Sequence, residues 1–95
     1  FLSDINIDTA FLTPTGFSED NGFTVASFNE CELKRIVAEK AKTVVMLMDS
    51  SKIGRSLPYT FCTVEGADVI ITDSEPDAQV KRKMLLSGVR LICTR

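Results

Sequence analysis

Apolar positions along the chain fall into short continuous runs and one helical stripe. Residues 43–48 (Thr-Val-Val-Met-Leu-Met) are an unbroken apolar, β-branched run. Such a run suits a strand buried on both faces, as in parallel sheets. Residues 67–72 (Ala-Asp-Val-Ile-Ile-Thr) predict a second buried strand, closed by Asp73, and residues 89–94 predict a last one. Residues 8–12 (Asp-Thr-Ala-Phe-Leu) predict a short strand, entered from Ile5-Asn6-Ile7. Pro14 and Gly16 break it, because proline fixes its own φ and biases Thr13 toward extended geometry. Residues 59–64 read either as another short strand or as an irregular link.

Two stretches carry helix signals. Asn29 is a good N-cap, and Glu32 falls at the third helical position, as in a capping box. Phe28 and Leu33 then occupy the two positions of a hydrophobic staple. Leu33, Ile36, Val37 and Ala41 predict the buried face, with Lys34, Arg35, Glu39 and Lys42 mostly outside it. Ser74-Glu75-Pro76-Asp77 predicts a second helix start with proline in the first turn. That helix runs to about Ser87, and Gly88 suits the left-handed position past its end. Residues 16–24 are rich in Gly, Ser, Asp and Asn and predict a loop. Residues 49–56 predict a polar loop around Gly54.

The order is strand, helix, strand, strand, helix, strand. Buried strands alternating with helices predict an α/β fold, a mostly parallel sheet with flanking helices. Ligands of such sheets bind beyond the carboxyl ends of the strands. Three loops are selected by that rule: residues 13–24, 49–55 and 73–77.

Composition narrows the function. The 95 residues suffice for one domain, and a net charge of −2 with a pI near 5.0 speaks against direct contact with DNA. The chain begins at Phe1, which reads as a fragment or domain. Nothing is long and apolar enough to span a membrane, and no charged start followed by an apolar run marks a signal peptide. Cys31, Cys62 and Cys93 are an odd number without clustering, and histidine is absent. Neither a disulfide framework nor a metal site is expected, nor any cofactor, and the chain reads as cytoplasmic with reduced thiols. Cys62 and Cys93 lie in apolar strands and read as small core residues. Without histidine the usual serine or cysteine hydrolase arrangements are unavailable.

The first chemical candidate is Asp49-Ser50-Ser51-Lys52, directly after a buried strand. A lysine ammonium is a point charge suited to phosphate, and the hydroxyls can donate to phosphate or sugar oxygens. Asp49 can orient Lys52 or accept from a sugar hydroxyl. A solvated turn is the plainer alternative. The second candidate is Thr13-Pro14-Thr15-Gly16, backed by Gly22-Phe23-Thr24. Its glycines allow close backbone approach and its threonines offer hydroxyls, although the GK[ST] of a Walker loop is missing. Glu30 and Lys34 sit four residues apart on the first helix and can meet as an ordinary ion pair. Lys81-Arg82-Lys83 reads as the solvated face of the last helix.

Taken in order, these segments resemble the DeoR family of bacterial sugar-metabolism repressors. Asp8-Thr9-Ala10-Phe11-Leu12 with Gly16 resembles the family's strand and glycine turn. Gly22-Phe23-Thr24 resembles its glycine-hydrophobe-threonine step, and Glu30 with Lys34-Arg35 its helix signature. Residues 45–52, ending in Asp-Ser-Ser-Lys, resemble its most recognisable motif, and residues 67–73 its strand ending in Thr-Asp. The resemblance implies a sensor fold related to ribose-5-phosphate isomerase A and glucosamine-6-phosphate deaminase. It implies a phosphorylated sugar effector that releases DNA, a homo-oligomer, and ligand contacts from Asp49, Lys52, Gly16, Thr15, Lys34 and Glu30. Residues 1–95 would then be the C-terminal part of one effector-sensor domain. The winged helix-turn-helix, the first sensor strand and its phosphate loop would precede it. One departure is Thr13 where the family's turn carries its first glycine.

The rival reading is a fragment of a sugar-phosphate isomerase. Ribose-5-phosphate isomerase A also carries an Asp-x-Ser-Lys step, with a carboxylate base on the preceding helix. Lys34 falls opposite that base and cannot replace it, and Val25-Ala26-Ser27-Phe28 stands where the enzyme has a lysine- and glycine-rich loop. A regulator rather than an enzyme is therefore expected. A third reading is a purely structural or oligomerising domain, for which Lys52 and Gly16 would be unimportant.

Overall fold

The run after Lys42 forms the centre of a sheet, as its composition requires. The computed structural model describes residues 5–94. Among them, strand β1 (Ile7–Leu12) leads through a hairpin, β2 (Gly16–Ser18) and β3 (Gly22–Val25), into helix α1 (Phe28–Lys40). Strand β4 (Ala41–Leu47) follows directly, then a 3-10 turn (Ser50–Lys52), β5 (Tyr59–Cys62), a second 3-10 turn (Val64–Gly66) and β6 (Val69–Thr72). Helix α2 (Ala78–Leu86) and β7 (Arg90–Cys93) complete the order.

Strands β1-β4-β6-β7 form one sheet, and every pair in it is parallel. Parallel neighbours need a crossover, and α1 and α2 lie within two of them. The register sets Leu12 beside Met46 and Met46 beside Ile70, so one face carries Ala10, Leu12, Val44, Met46 and Ile70 into the core. Cys31 of α1 and Met84 of α2 join the same cluster. The alternate face carries Phe11 beside Val45, and Phe11 is 64% exposed.

The stretch expected as a loop, residues 16–24, is instead mostly sheet. Strands β2, β3 and β5 form a separate antiparallel sheet. Its strands are only three or four residues long, too short for alternation to register. Burial of Phe17, Phe23 and Val25 drives it, with the rings of Phe17 and Phe23 5.0 Å apart. The polar residues mark only the turn, where the Ser18 hydroxyl accepts from the Asn21 N–H (3.1 Å) and Gly22 takes φ +75°. The open alternative for residues 59–64 resolves into strand β5, which pairs with β3.

Helix α1 starts two residues earlier than expected. Ser27 is the N-cap, its hydroxyl accepting from the Glu30 N–H at 3.4 Å, so the Asn29–Glu32 capping box does not form. The helix is rotated accordingly. Leu33 is 55% exposed, whereas Cys31 is buried and Val37 and Ala38 pack against the core. Phe28 stays outside as well and meets Tyr59 edge-on, 5.7 Å between centroids, so the staple with Leu33 is absent. Helix α2 is capped by Asp77, which accepts from the Val80 N–H at 3.0 Å, so Pro76 precedes the cap rather than entering the first turn. Gly88 takes the expected left-handed conformation, φ +85°. Cys31 is buried, while Cys62 and Cys93 are half-buried.

Candidate ligand-binding site

Three chain segments converge where parallel strands β1, β4 and β6 end. After β4, Asp49 adopts extended geometry and caps the 3-10 turn. Its carboxylate accepts from the Ser51 N–H (3.0 Å) and from the Ser51 hydroxyl, and the Lys52 ammonium lies 3.6 Å away. The Ser51 hydroxyl above all, with the Ser51 N–H and Lys52, holds the Asp49 carboxyl below the usual range. Hydrogen bonds to the charged form favour it. The half-exposed Lys52 thus stands beside a carboxylate that stays ionised.

The turn is tied at both ends. At its start, the Ser50 N–H donates to the Asp73 carboxylate at 2.7 Å. That bond is the main reason the Asp73 carboxyl also lies below its usual range, while the neighbouring Asp49 charge opposes the shift. Beyond its other end, the Gly54 N–H donates to the Phe17 carbonyl at 2.8 Å, and Ile53 bridges Phe17 in parallel fashion. Gly16 is pressed against the same loop: a Cβ there would lie 2.6 Å from the Arg55 carbonyl oxygen. Only glycine allows so close an approach. Thr15 donates its N–H to the Thr24 carbonyl (3.0 Å), and the buried Thr24 hydroxyl accepts from the Leu57 N–H (3.0 Å).

Lys34 and Glu30 join the site from another side. Their ion pair measures 2.9 Å, and the Lys34 ammonium also donates to the Thr13 carbonyl just past β1. It lies 5.5 Å from the centre of the Phe61 ring, and the Lys34 side chain is only 16% exposed. Contrary to the expected solvent-facing position, this lysine buries its stem and satisfies its charge locally. Of the six residues expected to contact ligand, Asp49, Lys52 and Gly16 are therefore gathered on one loop assembly. Thr15, Lys34 and Glu30 brace the strand end beside it. The sequence selects the loop at residues 73–77 without assigning any of its residues to ligand, and the structure ties Asp73 of that loop to the turn.

A cleft of 390 Å³ opens between α1 and β5, lined by residues including Arg35, Glu39 and Cys62, and includes none of the six. The Cys62 thiol is pushed up to about 11, by burial first and by the Asp68 carboxylate second. Among the described residues no group of three His, Cys, Asp or Glu side chains could hold a metal ion, and no helix is long and apolar enough to cross a membrane.

A parallel sheet with polar groups gathered beyond its carboxyl ends is the arrangement of an α/β ligand-binding domain. A family model described as the DeoR C terminal sensor domain matches residues 1–74, and the chain belongs to that family. It is 32% identical to the HTH-type transcriptional regulator GlpR of Haloferax volcanii, over 97% of this chain and 36% of that protein. It is 32% identical to the HTH-type transcriptional repressor GlcR of Bacillus subtilis, over 98% of this chain and 36% of that protein. The glycerol-3-phosphate regulon repressor of Escherichia coli is 26% identical over 96% of this chain and 36% of its own length. The chain thus spans about a third of the length of these relatives. All three are transcription regulators, and the family is a sensor domain, so the chain is not an enzyme and the isomerase reading falls.

Proposed function

We propose that this chain is the C-terminal part of the effector-sensing domain of a DeoR-type repressor of sugar metabolism. Asp49, Lys52 and the Gly16 turn form one wall of a pocket for a phosphorylated sugar, and the preceding part of the sensor completes it. Binding there modulates the grip on DNA of an N-terminal helix-turn-helix in a homo-oligomeric regulator. The observation that carries this reading is the Asp49–Lys52 turn, which presents a half-exposed ammonium and a carboxylate at a parallel-strand end. Lys52 suits the phosphate, and Asp49 suits a sugar hydroxyl, which a carboxylate accepts. The name of the glycerol-3-phosphate regulon repressor supports a small phosphorylated polyol or sugar as the effector class. Thr15, Lys34 and Glu30 support the wall from behind.

The test is titration of glucose-6-phosphate, fructose-6-phosphate and glycerol-3-phosphate against the full-length regulator by calorimetry, with operator release followed in parallel. A hydrogen bond to a charged group contributes about 1.5–3 kcal/mol, so Lys52→Ala weakens the best ligand by roughly ten- to a hundredfold. Unchanged affinity in that variant removes Lys52 from the site.

A further inference from the structure

We infer that Asp73 is a positioning residue for this wall: its carboxylate replaces a backbone carbonyl as the last rung joining β4 to β6, and so sets where Asp49 and Lys52 stand. The inference rests on the functional reading above and concerns the same site.

The β4–β6 ladder shows the substitution. Past the paired strands, the Met48 N–H donates to the Ile71 carbonyl at 3.1 Å. A parallel ladder advances two residues per rung, so the next donor is the Ser50 N–H and its regular acceptor would be the Asp73 carbonyl. The Ser50 N–H instead meets the Asp73 side chain, at 2.7 Å. The main chain of β6 is thereby free to leave toward α2, while the chain after β4 remains tied to it at Ser50, the first residue of the 3-10 turn. On the far side of β6, the Thr94 N–H donates to the Thr72 carbonyl (3.0 Å), so the strand end is held from both neighbours. The buried Thr72 hydroxyl makes a long contact, 3.4 Å, to the same Asp73 oxygen.

Two anchors therefore hold the turn: Asp73 before it and Phe17, through Gly54, behind it. Asp49's own cap bonds are local to the turn and set its shape, not its place on the sheet. The lowered Asp73 carboxyl agrees with this geometry, since its chief cause is the Ser50 N–H.

The test compares Asp73→Ala and Asp73→Asn in the full-length regulator. The probe is whichever phosphorylated compound of the panel binds the wild type best. Removing outer-shell partners of metal ligands typically costs about ten- to a hundredfold in affinity, and by that precedent Asp73→Ala is expected to weaken binding by about tenfold. Asp73→Asn keeps an oxygen acceptor for the Ser50 N–H and is expected to bind close to wild type. The double variant Asp73→Ala with Lys52→Ala loses less than the two single losses combined, because Asp73 acts through the turn that carries Lys52. If Asp73→Asn is as weak as Asp73→Ala, the charge itself touches ligand and the positioning role is overturned. If Lys52→Ala weakens binding but Asp73→Ala leaves it unchanged, this inference fails while the site stands. If neither variant changes the affinity, the site reading itself has failed.

Discussion

Gly16→Ala tests the packing on which the wall depends. Its new methyl would stand 2.6 Å from the Arg55 carbonyl oxygen, 3.1 Å from the carbonyl carbon and 3.0 Å from the Thr24 hydroxyl. The optimum for such contacts is about 3.5 Å or more, so something must yield by about 0.9 Å. Neither side yields easily. Gly16 is paired with Thr24 in the β2–β3 ladder. Arg55 is flanked by two fixed amides, Gly54 bonded to Phe17 and Leu57 bonded to Thr24. Overpacking of this kind costs about 1–3 kcal/mol. The smaller entropy of the unfolded alanine chain offsets about 0.4–1 kcal/mol of it. A net loss of about 1–2 kcal/mol lowers the midpoint of thermal unfolding by roughly 5–15 °C for a domain of this size. Thermal and urea unfolding followed by circular dichroism measure it, with an unchanged urea slope showing that stability alone has moved. Gly88→Ala is the comparison: nothing lies within 4 Å of its Cβ, so it reports only the strain of φ +85°. A Gly16→Ala protein that melts with the wild type would refute the close approach and, with it, the claim that Gly16 is built against the Lys52 loop.

Two further outcomes concern the ionisable groups. Cys62, with its thiol at about 11, is expected to react with iodoacetamide a few hundredfold more slowly at pH 8 than a free thiol of pKa ~8.5, and to speed up about tenfold per pH unit; peptide mapping by mass spectrometry that finds Cys62 alkylated at the free-thiol rate would contradict its burial. Asp49 and Asp73 both ionise below their usual range, so their contribution to stability is present above the unfolded carboxyl value near 4 and is lost as pH falls through the lower folded values; the urea midpoint should therefore decline below about pH 4 in the wild type and less steeply in Asp49→Asn with Asp73→Asn, and equal slopes would count against the hydrogen bonds described.

What the sequence disclosed tracks how much each element depends on local pattern. The unbroken run at residues 43–48 carries both-face burial in its composition, and it became β4, the second strand of the parallel sheet. The strand-end rule selected loops that the fold does place after β1, β4 and β6, because it follows from topology alone. The β2–β3 hairpin is not legible, since Phe23 packs on Phe61 of β5, almost forty residues on, and Phe17 packs on Phe23 and bridges Ile53, contacts that no local period reveals. The phase of α1 was misjudged for a related reason. Its buried stripe runs through Cys31, Lys34 and Ala38, and a lysine is not counted as apolar until its partners are known. The tie between Asp73 and the turn is not legible in the sequence, because it depends on one amide of the loop after a neighbouring strand.

The two lysines expected to contact ligand differ in what binding would cost them. Lys34 holds three partners at once, the Glu30 carboxylate, the Thr13 carbonyl and the Phe61 ring, and little of it is exposed. A phosphate recruiting it would have to break that set and free the end of β1. Among the described residues the half-exposed Lys52 ammonium pairs with Asp49 alone, at 3.6 Å. Surface ion pairs of that length contribute little, because water and salt screen them. Lys52 can therefore turn to an incoming phosphate at small cost, while Asp49 keeps its Ser51 bonds and its charge. A sensor must bind its effector with a free-energy difference between two states. A cation already committed to the fold would spend the effector's binding energy on unfolding a strand end. Within the proposed pocket, then, Lys52 is the group that reads the ligand and Lys34 the group that keeps the reading surface in place.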